Sequence, residues 1–138
     1  MHKVNTINTA LVNREKTVNT ALIIEDCLTD LTVLSRYLEQ EGLKVLTASS
    51  GEEALEKIST SQPDVIILDV VLPGCSGFEV CRDLKAESKT SNIPIIICST
   101  KGSEMDRYWG LRQGADVYLS KPIDQEELGQ VVKKLLKL

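Results

Sequence analysis

The chain has one histidine, His2, and that single residue near the start leaves a Ser-His-Asp triad no base. Its four cysteines, Cys27, Cys75, Cys81 and Cys98, are scattered and form no C-x-x-C pair, so a zinc centre is not expected. They read as free thiols, which places the protein in a reducing cytoplasm. Neither type of glycine-rich phosphate loop is present, and no G-x-S-x-G elbow occurs, which disfavours a nucleotide enzyme and an α/β-hydrolase. No apolar run approaches the roughly 20 residues of a membrane helix, and the N-terminus has no apolar core of a secretory signal. A net charge of -4 gives no support to nucleic-acid binding.

What remains is a chain of 138 residues, enough for one domain with a real core and too short for two. Its centre is Val65-Ile66-Ile67-Leu68-Asp69, a short β-branched run that reads as a strand buried on both faces and ends in a carboxylate. Similar runs occur at Ala21 to Ile24, Lys44 to Ala48, Ile95 to Cys98 and Val117 to Leu119.

Helical spacing follows each run. The expected helices are Thr29 to Glu41, with Leu31, Leu34 and Leu38 on one face; a helix opened by a Ser50/Glu53 capping box, with Ala54, Leu55 and Ile58 inward; Phe78 to Ala86, with Val80, Cys81 and Leu84 packing; Ser103 to Gln113; and a last helix opened by an Asp124/Glu127 capping box, with Leu128, Val131, Val132, Leu135 and Leu136 in a stripe. In the fourth helix Gly110 and Leu111 suit the sheet side, which sends Trp109 outward or sideways with Met105. An exposed pair of that kind is a partner or dimer anchor, the alternative being that Trp109 fills the edge of its own core. Five β-then-α units predict a doubly wound α/β domain with a five-stranded parallel sheet.

In a parallel sheet all strands aim their carboxyl ends at one edge, where such folds place their chemistry. Glu25 and Asp26, Asp69, Ser99 and Lys121 follow four of the strands. Taken singly, each has a plain reading as a turn former, a helix start, a loop hydroxyl or a solvated charge. Taken together they suit metal-assisted phosphoryl transfer. Mg²⁺ takes few protein ligands and keeps room for a phosphoryl oxygen. Asp26 and Asp69 would be direct ligands, Glu25 would stand further from the ion, and a backbone carbonyl past Asp69 would complete the set. An aspartate is a recognised nucleophile for that reaction, Lys121 would offset charge on the phosphoryl oxygens, and Ser99 would donate a hydrogen bond to them.

Glu25-Asp26, Asp69-Val70-Val71-Leu72-Pro73-Gly74 with Gly77-Phe78, Ile93-Pro94-Ile95-Ile96-Ile97 leading to Ser99, and Gly114-Ala115-Asp116 before Tyr118-Leu119-Ser120-Lys121-Pro122 together resemble the receiver domain of bacterial two-component response regulators. The resemblance covers residues 20–138 and leaves residues 1–19 as a polar extension, expected to be flexible. It implies a flavodoxin-like (βα)5 fold with strand order 2-1-3-4-5, Asp69 as phosphoacceptor, and Mg²⁺ held by Glu25, Asp26, Asp69 and the Val71 carbonyl. It also implies Ser99 as switch hydroxyl, Lys121 as phosphate contact and Tyr118 as switch aromatic.

The implied partners are a histidine kinase or phosphotransfer protein and a downstream protein effector, reached through the face of the fourth helix, fifth strand and fifth helix, which also suits a homodimer. The chemistry implied is phosphorylation and dephosphorylation of the protein itself rather than enzymatic turnover. A phosphorelay intermediate, a phosphate sink and an unphosphorylated scaffold share the fold. The expected output is protein contact, since the last helix runs to the end of the sequence. Cys98 to Lys101, Glu104 to Gly110 and Asp124 to Leu128 are similar to regulators of type IV pilus motility and phototaxis. Thr100, where a small residue is usual in that family, and Cys27, after the acidic pair, depart from its commonest pattern.

Overall fold

Each short apolar run becomes a strand of one parallel sheet: β1 (Thr20–Ile24), β2 (Lys44–Ala48), β3 (Val65–Leu68), β4 (Ile95–Ser99) and β5 (Val117–Ser120), in the order β2-β1-β3-β4-β5. The structure is a computed structural model and describes residues 18–138. Residues 1–17, which hold most of the expected N-terminal extension, lie outside the described residues. The helices are α1 (Leu28–Gln40), α2 (Gly51–Thr60), α3 (Gly77–Ala86), α4 (Glu104–Arg112) and α5 (Gln125–Leu136).

Alternation along the strands builds two cores from one sheet, because successive side chains point to opposite faces. Leu22, Ile24, Ile66, Leu68, Ile95, Ile97 and Tyr118 pack on one face against Ala54 and Ile58 of α2 and Val80, Cys81 and Leu84 of α3. Ala21, Ile23, Val65, Ile67, Ile96, Cys98 and Leu119 pack on the other against Leu34 and Leu38 of α1 and Leu128 and Val132 of α5. The central isoleucines are almost fully buried. Truncating any one to alanine would cost about 2–5 kcal/mol, so the strand ends rest on a stiff floor.

The expected elements match to within one residue at most ends, and the departures have physical causes. β4 and β5 each run one residue further, into Ser99 and Ser120, because those two residues still pair. Leu55 was expected inward, yet it is 54% exposed. It sits beside the buried stripe of Ala54 and Ile58, and three apolar positions within two turns are more than this narrow contact covers. Leu111 was expected on the sheet side of α4 and is 49% exposed; only Gly110 of that helix is buried.

The two expected capping boxes are one-sided. Ser50 accepts from the Glu53 amide, but the Glu53 carboxylate reaches back to the amide and hydroxyl of Ser49. Asp124 accepts from the Glu127 amide. The reciprocal box belongs to α4, where Ser103 accepts from the Asp106 amide and Asp106 accepts from the Ser103 amide and hydroxyl.

Candidate phosphoryl-transfer site

The backbone ladder runs one residue past the strand ends and decides which polar groups meet. The Asp69 amide donates to the Ile24 carbonyl at 3.0 Å, the Glu25 amide to the Ala48 carbonyl at 2.9 Å and the Lys121 amide to the Ser99 carbonyl at 2.9 Å. Alternation therefore continues. Glu25, Asp69 and Lys121 carry the parity of Ile23, Ile67 and Leu119 and turn to the α1/α5 side. Asp26 has the opposite parity and is exposed, whereas Glu25 is buried.

The Lys121 ammonium is the hub. It donates to Glu25 Oε1 at 2.5 Å and to Asp30 Oδ2 at 2.8 Å, and stands 3.6 Å from Asp69 Oδ2. Glu25 Oε2 accepts from the Cys27 amide, so both oxygens of Glu25 are engaged. Asp69 Oδ1 accepts from the Val70 amide at 2.8 Å, which fixes the carboxylate and leaves Oδ2 toward the lysine. Desolvation raises the Glu25 pKa above the usual carboxylate range, and the Lys121 hydrogen bond only partly offsets it. Burial works to lower the Lys121 pKa, but the bonds to Asp30 and Glu25 and the charge of Asp69 outweigh it and raise it.

Carboxylate oxygens of Glu25, Asp26 and Asp69 lie within 4.8 Å of one another. Three hard oxygen donors at that separation fit a small divalent cation, which also relieves their mutual repulsion. Val71, two residues past Asp69, has a side chain 53% exposed. Gly77 closes the loop beneath: a Cβ there would lie 2.0 Å from the Asp69 carbonyl oxygen, so only glycine admits this approach.

On the other side of the sheet, Ser99 is fully buried, its Oγ accepting from the Lys101 amide at 3.2 Å. Tyr118 pairs with Ile97, so it shares that face. Its ring is 5% exposed and its hydroxyl donates to the Lys101 carbonyl. Arg107 covers it: the guanidinium carbon sits 5.7 Å from the ring centroid, Nη1 donates to the Tyr118 carbonyl and Nη2 to Ser120 Oγ. Gly110 makes room, since a Cβ there would stand 2.7 Å from the ring.

A carboxylate cluster and a lysine hub thus stand at the carboxyl edge of a 2-1-3-4-5 sheet, and residues 21–133 match the response regulator receiver domain family. The chain belongs to that family. Protein PilH of Pseudomonas aeruginosa is 41% identical to it over 115 residues, which is 83% of this chain and 95% of PilH. A putative response regulator from Chloroflexus aurantiacus superposes with a TM-score of 0.85 at 35% identity, covering 88% of this chain and all of that one. The receiver domain of the sensor histidine kinase PA1611 from Pseudomonas aeruginosa, with a magnesium ion coordinated in its active-site cleft, gives a TM-score of 0.80 at 25% identity over 88% of this chain and all of that one. The receiver spans about half the length of the transcriptional regulators it resembles, 48% for PhoP of Bacillus subtilis.

Of the residues singled out in the sequence, the structure brings Glu25, Asp26, Asp69 and Lys121 together, puts Ser99 and Tyr118 on the adjoining face, and leaves Met105 and Trp109 on the surface of α4. Met105 is 72% and Trp109 50% exposed. The Trp109 ring stacks on Tyr108 with centroids 6.4 Å apart, and Arg112 lies over Tyr108 in turn. Asp30 and Arg107 escaped the sequence reading. The one local mark of Asp30 is its place in the first turn of α1, where acidic residues are common. Arg107 carries no comparable signal. No helix among the described residues is long and apolar enough to cross a membrane.

Proposed function

We propose that this receiver accepts a phosphoryl group on Asp69 from a phosphohistidine of a kinase or phosphotransfer protein, and that the modified domain signals by protein contact. The supporting observation is the pinned Asp69 carboxylate, with Oδ1 held by the Val70 amide and Oδ2 facing the Lys121 ammonium and the acidic pair. Asp69 Oδ2 attacks phosphorus while the donor's P–N bond breaks, and the electron pair stays with the imidazole. Asp26, Asp69 and the Val71 carbonyl would hold Mg²⁺, with Glu25 behind them because Lys121 and the Cys27 amide occupy its oxygens. The bound cation supplies positive charge against the phosphoryl oxygens. Lys121 adds its own charge there, and the Ser99 hydroxyl donates a hydrogen bond to the group.

The added charge and acceptor oxygens bias a two-state element. Ser99 and Tyr118 are that element in this reading. The output surface is α4, β5 and α5, with Met105 and Trp109 as anchors for an effector or a second copy. The setting we favour is pilus motility or phototaxis, on the likeness to PilH and on the α4 segment. Residues 20–138 form the signalling domain, and residues 1–19 an extension to it.

The test is intact mass after incubation with Mg²⁺ and acetyl phosphate, beside Asp69→Asn. One phosphoryl adduct that needs Mg²⁺ and is lost in the variant supports the reading. Failure with acetyl phosphate and with a histidine-phosphorylated donor, together with no Mg²⁺ binding, would leave an unphosphorylated scaffold.

A further inference from the structure

We infer that Asp30 is a positioning residue for Lys121, one that holds the ammonium back from Asp69 until a phosphoryl group arrives. The inference rests on the reading of Asp69 as phosphoacceptor. A lysine ammonium has three donors and no acceptor. In this chain two of the three are taken, by Glu25 at 2.5 Å and Asp30 at 2.8 Å, and Asp69 is left at 3.6 Å, an ion-pair distance beyond hydrogen-bond length. The lysine is parked between α1 and β1 rather than on the residue it is meant to serve.

The two anchors are not equivalent. The Glu25 side chain is 2% exposed and held a second time by the Cys27 amide, so it cannot leave without stranding a charge. The Asp30 side chain is 39% exposed. It also borders a cleft of about 150 Å³ lined by Val33, Tyr37, Lys121, Pro122 and Ile123. Water can therefore take over when Asp30 lets go. A phosphoryl group on Asp69 brings more negative charge than the single Asp30 carboxylate, and on a residue whose side chain is 9% exposed against 39% for Asp30, so Coulomb attraction there is less screened. The competition then resolves toward the phosphoryl group: Glu25 keeps its bond, and the donor held by Asp30 is the one that swings. Asp30 sets how much of the lysine's charge is available to Asp69 before transfer, which makes it a brake on phosphorylation.

The experiment is the rate of Asp69 phosphorylation by acetyl phosphate in Mg²⁺, followed by intact mass, for the full chain and for Asp30→Asn, Asp30→Glu, Lys121→Ala and the Asp30→Asn/Lys121→Ala pair. Asp30→Asn is expected to raise the rate about two- to five-fold, the range that a half-exposed ion pair supports. Asp30→Glu, which keeps the carboxylate, is expected to return the rate to that of the unsubstituted protein. The gain is expected to vanish when Lys121 is alanine, since a residue that acts through the lysine has nothing to act on without it. Where Lys121→Ala fails to fold, Lys121→Gln takes its place in the cycle. An unchanged or lower rate in Asp30→Asn overturns the inference. So does an equal gain with and without Lys121, which is the mark of a general charge effect on the anionic donor. If the unsubstituted protein labels and the cycle shows no coupling, only the role of Asp30 falls. If the unsubstituted protein does not label, the phosphoacceptor reading falls and takes Asp30 with it.

Discussion

Glu25 and Lys121 are 96 positions apart in the chain, and their side chains meet at 2.5 Å at the carboxyl edge of the sheet. The pair is nearly dry, with side-chain exposures of 2% and 8%. Removing Lys121 leaves the buried Glu25 carboxylate with only the Cys27 amide as partner. Lys121→Ala is therefore expected to destabilise the fold by about 3–5 kcal/mol, the usual cost of breaking a buried pair. Urea unfolding measures it, and a loss under 1 kcal/mol would show that the pair is solvated in solution.

Gly77 sits beneath Asp69 with no space for a methyl group. Gly77→Ala is expected to cost about 1–3 kcal/mol or more, since the contact is with backbone and cannot be relieved by a rotamer change. Thermal unfolding checks it. A neutral outcome would mean that the loop from Val70 to Gly77 is not held as described.

The Tyr118 hydroxyl donates a hydrogen bond to the Lys101 carbonyl. Tyr118→Phe keeps the ring and is expected to lose about 1 kcal/mol. Gly110→Ala acts differently, because its Cβ would collide with the ring and drive it outward. Solvent-perturbation spectroscopy should find one more exposed tyrosine in Gly110→Ala and none in Tyr118→Phe.

Trp109 is the chain's single tryptophan and is half exposed on α4. Its emission is expected to be red-shifted and readily quenched by acrylamide. Trp109→Ala should change stability by less than about 0.5 kcal/mol, as surface substitutions do. A blue, protected emission would contradict the outward placement.

Thiol chemistry gives a pH test. Burial pushes the Cys98 thiol up to about 12 and the Cys81 thiol up to about 11, from an ordinary 9.0. Both folded values lie above the unfolded one, so the unfolded chain gives up its protons first as pH rises. The stabilisation is fully present below about pH 9 and declines between about pH 9 and 12. In native protein at pH 8 a disulfide reagent should modify exposed Cys27 first and leave Cys81 and Cys98 untouched until denaturant is added. Early reaction at Cys98 would contradict the packed sheet.

The fold was legible because short β-branched runs alternate with helical spacing, and Val65 to Leu68 allows little besides a central strand. Which polar groups reach the same edge was legible too, since a parallel sheet aims all its strand ends one way. The fate of each member of the Glu25-Asp26 pair was less so. Side-chain alternation sends one inward and one to solvent, and that parity depends on a ladder bond past the strand end. Leu55 and Leu111 were misplaced because periodicity marks the centre of an apolar stripe and not its margins. Asp30 was missed because its role arises from a lysine 91 positions away.

The central claim is that Asp69 is the residue modified. Borohydride reduction of the phosphorylated protein converts an aspartyl phosphate to homoserine, and peptide mapping then locates the site. The account predicts homoserine at position 69 alone, dependent on Mg²⁺ during labelling. Homoserine at Asp26, or a label that resists borohydride and stays on a serine, would contradict it.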